Sequence, residues 1–159
     1  MPRKELIEEE LTRSVIGAFF DVYNTLGFGL LEHLYVMALE RELRAKGHRV
    51  GREVGIRVVY KGEELGFQRL DMVVDDKLVV ETKSTYELHK AAHRQLFNYL
   101  RATNLEVGLL LHFGPEPRFF RAICENARKM RPPHTEPSVT QSNPDEPSSE
   151  GPDEITPDA

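Results

Sequence analysis

Two apolar segments around a short polar turn constrain the fold of this chain most strongly. The segments cover about residues 65–74 and 78–83, and Asp-Asp-Lys at 75–77 separates them. Each segment carries an acidic residue, Asp71 in the first and Glu81 in the second. Apolar segments joined by such a turn are typical of a β-hairpin. Because unpaired charges resist burial, two carboxylates within these strands favour a functional site over a packing role.

The turn length sets the register of this hairpin, and a slip of one residue would send every side chain to the opposite face. With a three-residue turn at 75–77, Val74 pairs with Leu78 and Asp71 stands opposite Glu81. The residues predicted to share the other, buried face are then all apolar: Leu70, Met72, Val74, Leu78 and Val80. A two-residue turn would place Asp71 opposite an apolar residue and mix the two classes. The side-chain pattern therefore favours the three-residue turn.

The rest of the chain predicts helices on both sides of the hairpin. Apolar residues at helical spacing predict helices over about residues 5–26 and 30–46. The later elements are a strand, a third helix, a strand and a short closing strand, over about 54–58, 87–103, 106–112 and 118–123. The order ααβββαβ(β) predicts an α+β fold around a small mixed sheet flanked by helices.

Residues 132–159 differ in composition from the rest, being rich in proline, serine and acidic residues without lysine or arginine. Such a segment buries too little apolar surface to offset its ordering entropy, so we predict a disordered tail after one domain at 1–131. Seven of the 26 acidic residues lie in this tail and all 21 lysines and arginines precede it, which leaves the domain at about +2. The net charge of −5 for the whole chain does not exclude a nucleic-acid partner.

The cysteine content and the apolar runs indicate the compartment. Cys124 is the single cysteine of the sequence, so no intramolecular disulfide forms and a thiolate metal site is not expected. The longest apolar run, residues 107–111, is far shorter than a membrane span, and the first ten residues contain no apolar signal segment. We expect a cytoplasmic protein that does not enter a membrane.

The predicted hairpin places Asp71, Glu81 and Lys83 on one face of the sheet. Cross-strand neighbours have Cβ atoms about 5 Å apart, close enough for two carboxylates to hold one divalent ion. Carboxylate oxygens without soft ligands favour Mg²⁺ or Mn²⁺ over Zn²⁺. Such an ion acidifies a bound water, and a nearby lysine stabilises developing charge on a phosphoryl group. On spacing alone, a surface ion pair between Lys83 and either carboxylate remains the simpler explanation.

The same residues resemble the signature of a known group of enzymes. Asp71 with Glu81-Thr82-Lys83 is similar to the motif of the PD-(D/E)xK nuclease superfamily, and residues 29–35, GLLEHLY, resemble the motif of its GxxExxY protein family. Further similarity lies in residues 69–71, 95–100 and 108–114. Leu70 stands where the superfamily name has a proline, a departure that leaves the acidic residue in place. Several matches in the expected order are more specific than any one of them.

This resemblance implies a restriction-endonuclease-like core of αβββαβ type, in which a metal-activated water hydrolyses phosphodiester bonds of DNA or RNA. The implied cofactor is Mg²⁺ or Mn²⁺. The implied metal ligands are Glu32, Asp71, Glu81 and the backbone carbonyl of Thr82, and the implied catalytic residues are Asp71, Glu81, Lys83, Glu32 and Gln95. Gln95 and Tyr99 lie at i and i+4 on one helical face, where the family places polar residues beside the site.

Several of these residues also have ordinary structural explanations. Glu32 near a helix N-terminus favours the helix dipole, and Gln95 is equally an exposed helical residue. Tyr35, at helical spacing from apolar neighbours, is predicted to belong to the core. His89 and His93 lie four apart but lack the glutamate of a zinc-protease motif, so we assign them no metal.

Two classes of function follow from the sequence. The favoured one is a metal-dependent endo- or exonuclease acting on nucleic acid, with DNA favoured over RNA. The alternative is a non-cleaving module on the same fold that binds nucleic acid or protein, suggested by the near-neutral domain and the lack of a recognisable DNA-reading domain. So short a nuclease also suggests low sequence selectivity, or targeting through a homodimer or a protein partner.

Overall fold

The computed structural model describes residues 6–129. The helices are α1 (Glu9–Leu26), α2 (Glu32–Ala45) and α3 (Lys90–Ala102). The strands are β1 (Val50–Tyr60), β2 (Glu63–Val74), β3 (Leu78–Lys83), β4 (Val107–Phe113) and β5 (Pro117–Ile123), and a 3₁₀ turn at Asn126–Arg128 follows them. No helix in this part of the chain has the length and apolarity needed to cross a membrane. The predicted tail at 132–159 lies outside the described residues.

The strands form one mixed sheet in the order β1-β2-β3-β4-β5. β3 and β4 run parallel, whereas the other neighbouring pairs are antiparallel. α3 connects β3 to β4, because a parallel pair needs a crossover between its strands. The predicted α+β fold, a small mixed sheet flanked by helices, is therefore confirmed.

Two apolar layers hold the helices against the sheet. On one face, α1 and α2 bury Phe19, Tyr35 and Leu39 against residues of β2, β3 and β4. On the other face, α3 buries Leu96 and Leu100. Every residue of β4 is buried, because helices cover this strand on both sides. The centre of the sheet is thus a rigid base for side chains at the ends of its strands.

The register of the hairpin between β2 and β3 agrees with the prediction. Val74 pairs with Leu78 and Met72 pairs with Val80, so residues 75–77 form the three-residue turn. Asp75 and Asp76 adopt φ angles of 51° and 56° in this turn. Aspartate tolerates this left-handed conformation better than most residues, which is why the turn forms at this point.

The predicted position of Leu70 is wrong. Met72 and Val74 lie in the layer under α1 and α2, as the alternating pattern predicts. Leu70 lies in the opposite layer, under α3, although it is only two residues from Met72. β2 therefore changes face between these two residues, at Asp71.

The neighbouring strand β1 shows the cause of this change of face. Val50 lies in the layer under α1 and α2, whereas Ile56 lies in the layer under α3. Between them, Glu53 has a φ of 50°, a left-handed conformation that interrupts the regular alternation of a strand. The ladder between β1 and β2 skips Glu53 and Asp71 while continuing on either side of them. Both strands thus turn over at one level, and Asp71 lies at that level.

A chain of polar contacts links α1 to the turn between β2 and β3. Ser14 Oγ lies 2.6 Å from His48 Nε2, and His48 Nδ1 lies 2.7 Å from Asp75 Oδ2. The second oxygen of Asp75 accepts the backbone N–H of Arg49 at 2.8 Å. Partial burial raises the pKa of Asp75, but the Arg49 N–H and the His48 ring together lower it below its usual value. The linkage joins three segments that are distant in sequence.

Replacing His48 by alanine tests this linkage. We expect His48→Ala to lower the free energy of unfolding by about 1–3 kcal/mol, because Ser14 and Asp75 lose a shared partner in a partly buried place. Urea denaturation at pH 7 measures the effect. The matched control is His33→Ala, which removes an exposed imidazole and should change stability by less than about 0.5 kcal/mol. Equal losses in both variants would contradict the structural role of His48.

Candidate active site

Asp71 and Glu81 meet where β2 and β3 separate. The backbone N–H of Asp71 donates to Glu81 Oε1 at 3.1 Å. Asp71 Oδ2 accepts the backbone N–H of Thr82 at 2.8 Å and the Thr82 hydroxyl at 3.0 Å. The regular pairing of β2 with β3 ends at Met72 and Val80, one residue before Asp71 and Glu81 would pair. Side chains therefore bridge the strands here in place of backbone bonds, which fixes both carboxylates.

Glu81 is the most perturbed acid of the site. Its residue is only 5% exposed. Burial, then the neighbouring charge of Asp71, raises the pKa of Glu81 to about 8, although the Asp71 N–H and Lys83 act in the opposite direction. The charge of Glu32 raises it further. Without a nearby cation, Glu81 is therefore largely protonated at neutral pH.

Glu32 approaches the same point from the other side of the sheet. It is the first residue of α2 and is half-buried. Its carboxylate is close enough to act on the pKa of Glu81, as is the ammonium group of Lys83. Three acidic side chains and one lysine from three elements thus share one electrostatic environment. Among these four described residues, only Asp71 and Glu81 are joined by a hydrogen bond, and Glu32 and Lys83 are linked to them through their effect on the pKa of Glu81.

Tyr35 holds the loop that carries Glu32. The Tyr35 hydroxyl donates to the carbonyl of Gly27 at 2.5 Å and accepts the N–H of Leu30 at 3.2 Å. Its ring is fully buried and stacks on Phe113 with 4.2 Å between ring centroids. The prediction that Tyr35 belongs to the core is confirmed, but the sequence did not indicate the role of its hydroxyl.

α3 supplies two polar residues to the other side of the site. Tyr99 is buried, and burial followed by the charge of Glu81 raises the pKa of Tyr99 to about 12, while the adjacent Gln95 amide lowers it. Tyr99 therefore stays protonated at ordinary pH. Gln95 is exposed and lines a recess of about 260 Å³ that also contains Lys83. The predicted neighbourhood of Gln95, Tyr99 and the carboxylates is present in the structure.

The two histidines of this region have structural partners. His89 caps α3, since its Nδ1 accepts the N–H of Ala91 at 3.1 Å, and the helix therefore starts at Lys90 rather than at residue 87. The ring of His93 packs edge-on against Phe120, with 4.5 Å between centroids. His89 thus serves as a helix cap, and His93 packs against an aromatic ring.

Sequence reasoning missed the residues that hold the segment after Lys83. Ser84 Oγ donates to the carbonyl of Leu30 at 2.6 Å, which ties this segment to the loop before α2. His112, buried in β4, places its Nε2 2.9 Å from the carbonyl of Thr85. These partners lie 54 and 27 positions apart in the chain, so no local spacing could have indicated them.

The candidate ligands at this site are carboxylate oxygens, and their number and chemistry decide which metal ion they suit. Within residues 6–129, no group of three His, Cys, Asp or Glu side chains is close enough to hold a metal. The atoms of Asp71 and Glu81 are nevertheless hard oxygens, which Mg²⁺ and Mn²⁺ prefer. Burial and then the charge of Asp71 raise the pKa of Glu81, and the positive charge of a divalent ion would lower it. The donor chemistry and the charge therefore fit a divalent ion between Asp71 and Glu81.

Comparison with known proteins identifies the relatives of this chain. The family described as the PD-(D/E)XK nuclease superfamily matches residues 9–122, which include Glu32, Asp71, Glu81, Lys83 and Gln95. The crystal structure of the protein SSO0001 is similar, with a TM-score of 0.49 and 20% sequence identity. That similarity covers 74% of this chain and 60% of the other, so this chain spans less than two thirds of that protein. No curated protein matches significantly.

The raised pKa of Glu81 makes a prediction for stability in the presence of a chelator. The pKa of Glu81 is about 8 in the folded protein, against an ordinary value of 4.5. At a pH between these two values, the folded protein holds a proton on Glu81 that the unfolded chain releases. The free energy of unfolding should therefore fall with rising pH, by up to about 1.4 kcal/mol per pH unit from this group. Glu81→Gln should remove this contribution to the pH dependence, because glutamine does not ionise. The substitution keeps an oxygen that can accept the Asp71 N–H.

Urea denaturation of both proteins from pH 5 to pH 9 provides the test. The curves should diverge as pH rises, with Glu81→Gln gaining relative stability up to about pH 8. Parallel curves would show that Glu81 ionises normally in the folded protein and would contradict the assignment.

Proposed function

This chain belongs to the PD-(D/E)XK nuclease superfamily, and from that membership we propose that it hydrolyses phosphodiester bonds of nucleic acid with Mg²⁺ or Mn²⁺. The observation that supports this proposal most is the contact of Asp71 with the buried Glu81, whose pKa the charges of Lys83 and Glu32 also influence. Structural ion pairs do not need two adjacent carboxylates with one buried at 5% exposure. We propose DNA rather than RNA as the substrate.

The proposed metal ligands are Asp71, Glu81, Glu32 and the backbone carbonyl of Thr82. A divalent ion held there would supply an acidified water and offset negative charge on the phosphate. Its charge would also favour the ionised form of Glu81, since a nearby positive charge lowers the pKa of a carboxyl group. Asp71 keeps its orientation through the two hydrogen bonds from Thr82.

Lys83 and Gln95 are the proposed contacts to the reacting phosphate. Both line one recess, together with Glu87, and Lys83 lies two residues after Glu81 on β3. The ammonium group of Lys83 would stabilise negative charge that develops on the phosphate during hydrolysis. The Gln95 amide would orient the phosphate or the attacking water by hydrogen bonding. Tyr99, whose pKa burial and the charge of Glu81 raise to about 12, stays a neutral hydroxyl group beside Gln95.

The narrower assignment to the GxxExxY family is part of this proposal. In residues 29–35, the glutamate of the motif is Glu32 and its tyrosine is Tyr35. The Tyr35 hydroxyl binds both ends of the short loop between Gly27 and Leu30, directly before Glu32. The spacing of the motif therefore serves to position the glutamate, which supports the assignment.

Three further expectations remain proposals. We propose a cytoplasmic location, a catalytic domain at 1–131 followed by a tail at 132–159, and targeting through a homodimer or a protein partner. The first is supported by the single cysteine of the sequence. The second is supported by the family match, which ends at residue 122.

A second candidate function is a non-cleaving module that binds nucleic acid or protein. The observation in its favour is that the hydrogen-bonded oxygens of Asp71 and Glu81 already have protein partners. In addition, no three-residue metal group forms within residues 6–129. Metal binding distinguishes the two candidates.

Cleavage assays on single variants test the nuclease proposal. With Mn²⁺ or Mg²⁺, wild-type protein should cut labelled DNA, whereas Asp71→Asn and Lys83→Ala should each cut at least about 100-fold more slowly. The first variant loses a proposed metal ligand, and the second loses the positive charge at the reacting phosphate. Asp76→Asn is the matched control, because it removes an exposed carboxylate in the turn between β2 and β3. Cleavage by Asp71→Asn at the wild-type rate would refute the proposal.

Calorimetric titration with Mn²⁺ tests the metal site directly. Wild-type protein should bind the ion and release up to one proton at pH 7, because Glu81 must ionise. Asp71→Asn and Glu81→Gln should bind at least about tenfold more weakly, since each loses a charged ligand. Titration in two buffers with different ionisation enthalpies counts the protons. No binding by wild-type protein would favour the non-cleaving module.

A further inference from the structure

The outer face of α3 carries a row of positive side chains. Lys90, Arg94 and Arg101 are exposed, and they lie at positions i, i+4 and i+11 of the helix. At about 100° per residue, the three point within about 40° of one another and span about 16 Å. α3 contains no aspartate or glutamate. We call this row, together with Phe97, the α3 ridge.

The charges of the α3 ridge are not neutralised by the rest of the described protein. Within residues 6–129, none of Lys90, Arg94 and Arg101 forms an ion pair. Several arginines elsewhere on the surface do form such pairs, among them Arg13 with Glu9, Arg44 with Glu40, Arg57 with Glu64 and Arg118 with Glu116. Among the described residues, α3 thus presents three unpaired cations in one row, with no acidic residue on the same helix.

An exposed aromatic ring and a groove lie beside the cations of the α3 ridge. Phe97 lies between the arginines with 41% of its surface exposed. A groove of about 630 Å³ separates this part of α3 from the chain after β5. Arg101 lines one side of the groove, and the other side carries Arg128, which pairs with Glu125, and Lys129, whose Nζ donates to two backbone carbonyls. Arginines interleaved with an exposed aromatic ring suit a nucleic-acid strand, since the cations meet phosphates and the ring can stack on a base.

The α3 ridge starts beside the proposed catalytic site. The inner side of the same helix carries Gln95 and Tyr99, which contact the site, and the first turn of α3 lines the recess together with Lys83. Lys90 is the chain neighbour of His89 and Ala91, which line the recess, although it is not itself part of the lining. The α3 ridge therefore begins at the end of the helix that borders the recess, and a phosphate backbone lying along this face of α3 would reach that end.

The exposed end of the β1–β2 hairpin is a less suitable surface for this ligand. Tyr60, Leu65 and Phe67 are exposed there. Glu63 and Glu64 lie beside them, and Glu64 already pairs with the nearest arginine. The acidic residues would repel phosphate, so the charge pattern favours α3.

We propose that the α3 ridge binds the phosphate backbone of the nucleic-acid substrate and guides it to the recess at Lys83. The inference rests on the proposed function, since it concerns the substrate of that site. It assigns to α3 a binding role separate from the chemistry. The contacts are electrostatic and do not read sequence, which agrees with the absence of any base-reading element among the described residues.

Binding measurements on charge variants test the α3 ridge. The triple variant Lys90→Gln, Arg94→Gln, Arg101→Gln keeps good helix formers on an exposed face, so the fold should persist, as circular dichroism will show. Fluorescence anisotropy with a labelled single-stranded DNA in a chelating buffer measures binding without cleavage. We expect the triple variant to bind at least about tenfold more weakly. The slope of log affinity against log salt should also fall in magnitude by about one for each lost phosphate contact.

Two matched variants complete this experiment. Arg13→Gln, Arg41→Gln, Lys77→Gln removes the same charge elsewhere on the surface and should bind within about twofold of wild type. Lys90→Arg, Arg94→Lys, Arg101→Lys keeps the charge on α3 and should retain binding. Unchanged binding by the α3 glutamine variant, equal weakening in both glutamine variants, or no binding by wild-type protein would each overturn the inference. Loss of binding on α3 alone would support it even if the wild-type protein cleaves nothing, so the two proposals fail separately.

Discussion

The burial of Glu81 beside Asp71 is the constraint on which the rest of this structure depends. A carboxylate at 5% exposure next to a second carboxylate is unfavourable in water-free surroundings, and its pKa of about 8 reports that cost. The protein holds the pair by interrupting the pairing of β2 and β3 at this level. Both β1 and β2 turn over there, at Glu53 and Asp71, so that Asp71 reaches Thr82 instead of the apolar layer.

The helices on both faces of the sheet complete the site at one edge. α2 starts with Glu32 on one face, and the buried hydroxyl of Tyr35 fixes the loop before it. α3 brings Gln95 and Tyr99 from the other face. The parallel pair of β3 and β4 forms the base, because both strands are covered by helices and cannot shift. Side chains from opposite layers can therefore converge only where β3 ends, at Lys83.

Much of this arrangement could be predicted from the sequence because it depends on local patterns. Alternation of apolar residues gave the hairpin and its three-residue turn, so the opposition of Asp71 and Glu81 followed from register. The prediction failed at Leu70 because the change of face in β2 is coupled to the left-handed backbone of Glu53 on the neighbouring strand β1. The alternation of residues within β2 carries no information about that residue. Contacts such as Ser84 with Leu30 were out of reach, because they depend on how the helices pack on the sheet. The proximity of Glu32 was indicated only by family resemblance.

A crystal structure of the protein soaked with Mn²⁺, recorded at the manganese absorption edge, tests the central claim most directly. The account predicts one anomalous peak between the carboxylates of Asp71 and Glu81, with Glu32 turned towards it and Mn–O distances of about 2.0–2.3 Å. Anomalous peaks at other positions only, with none between Asp71 and Glu81, would contradict the claim that these residues form a metal-dependent nuclease site. Peaks at other surface carboxylates would show that the soaked ion had entered the crystal.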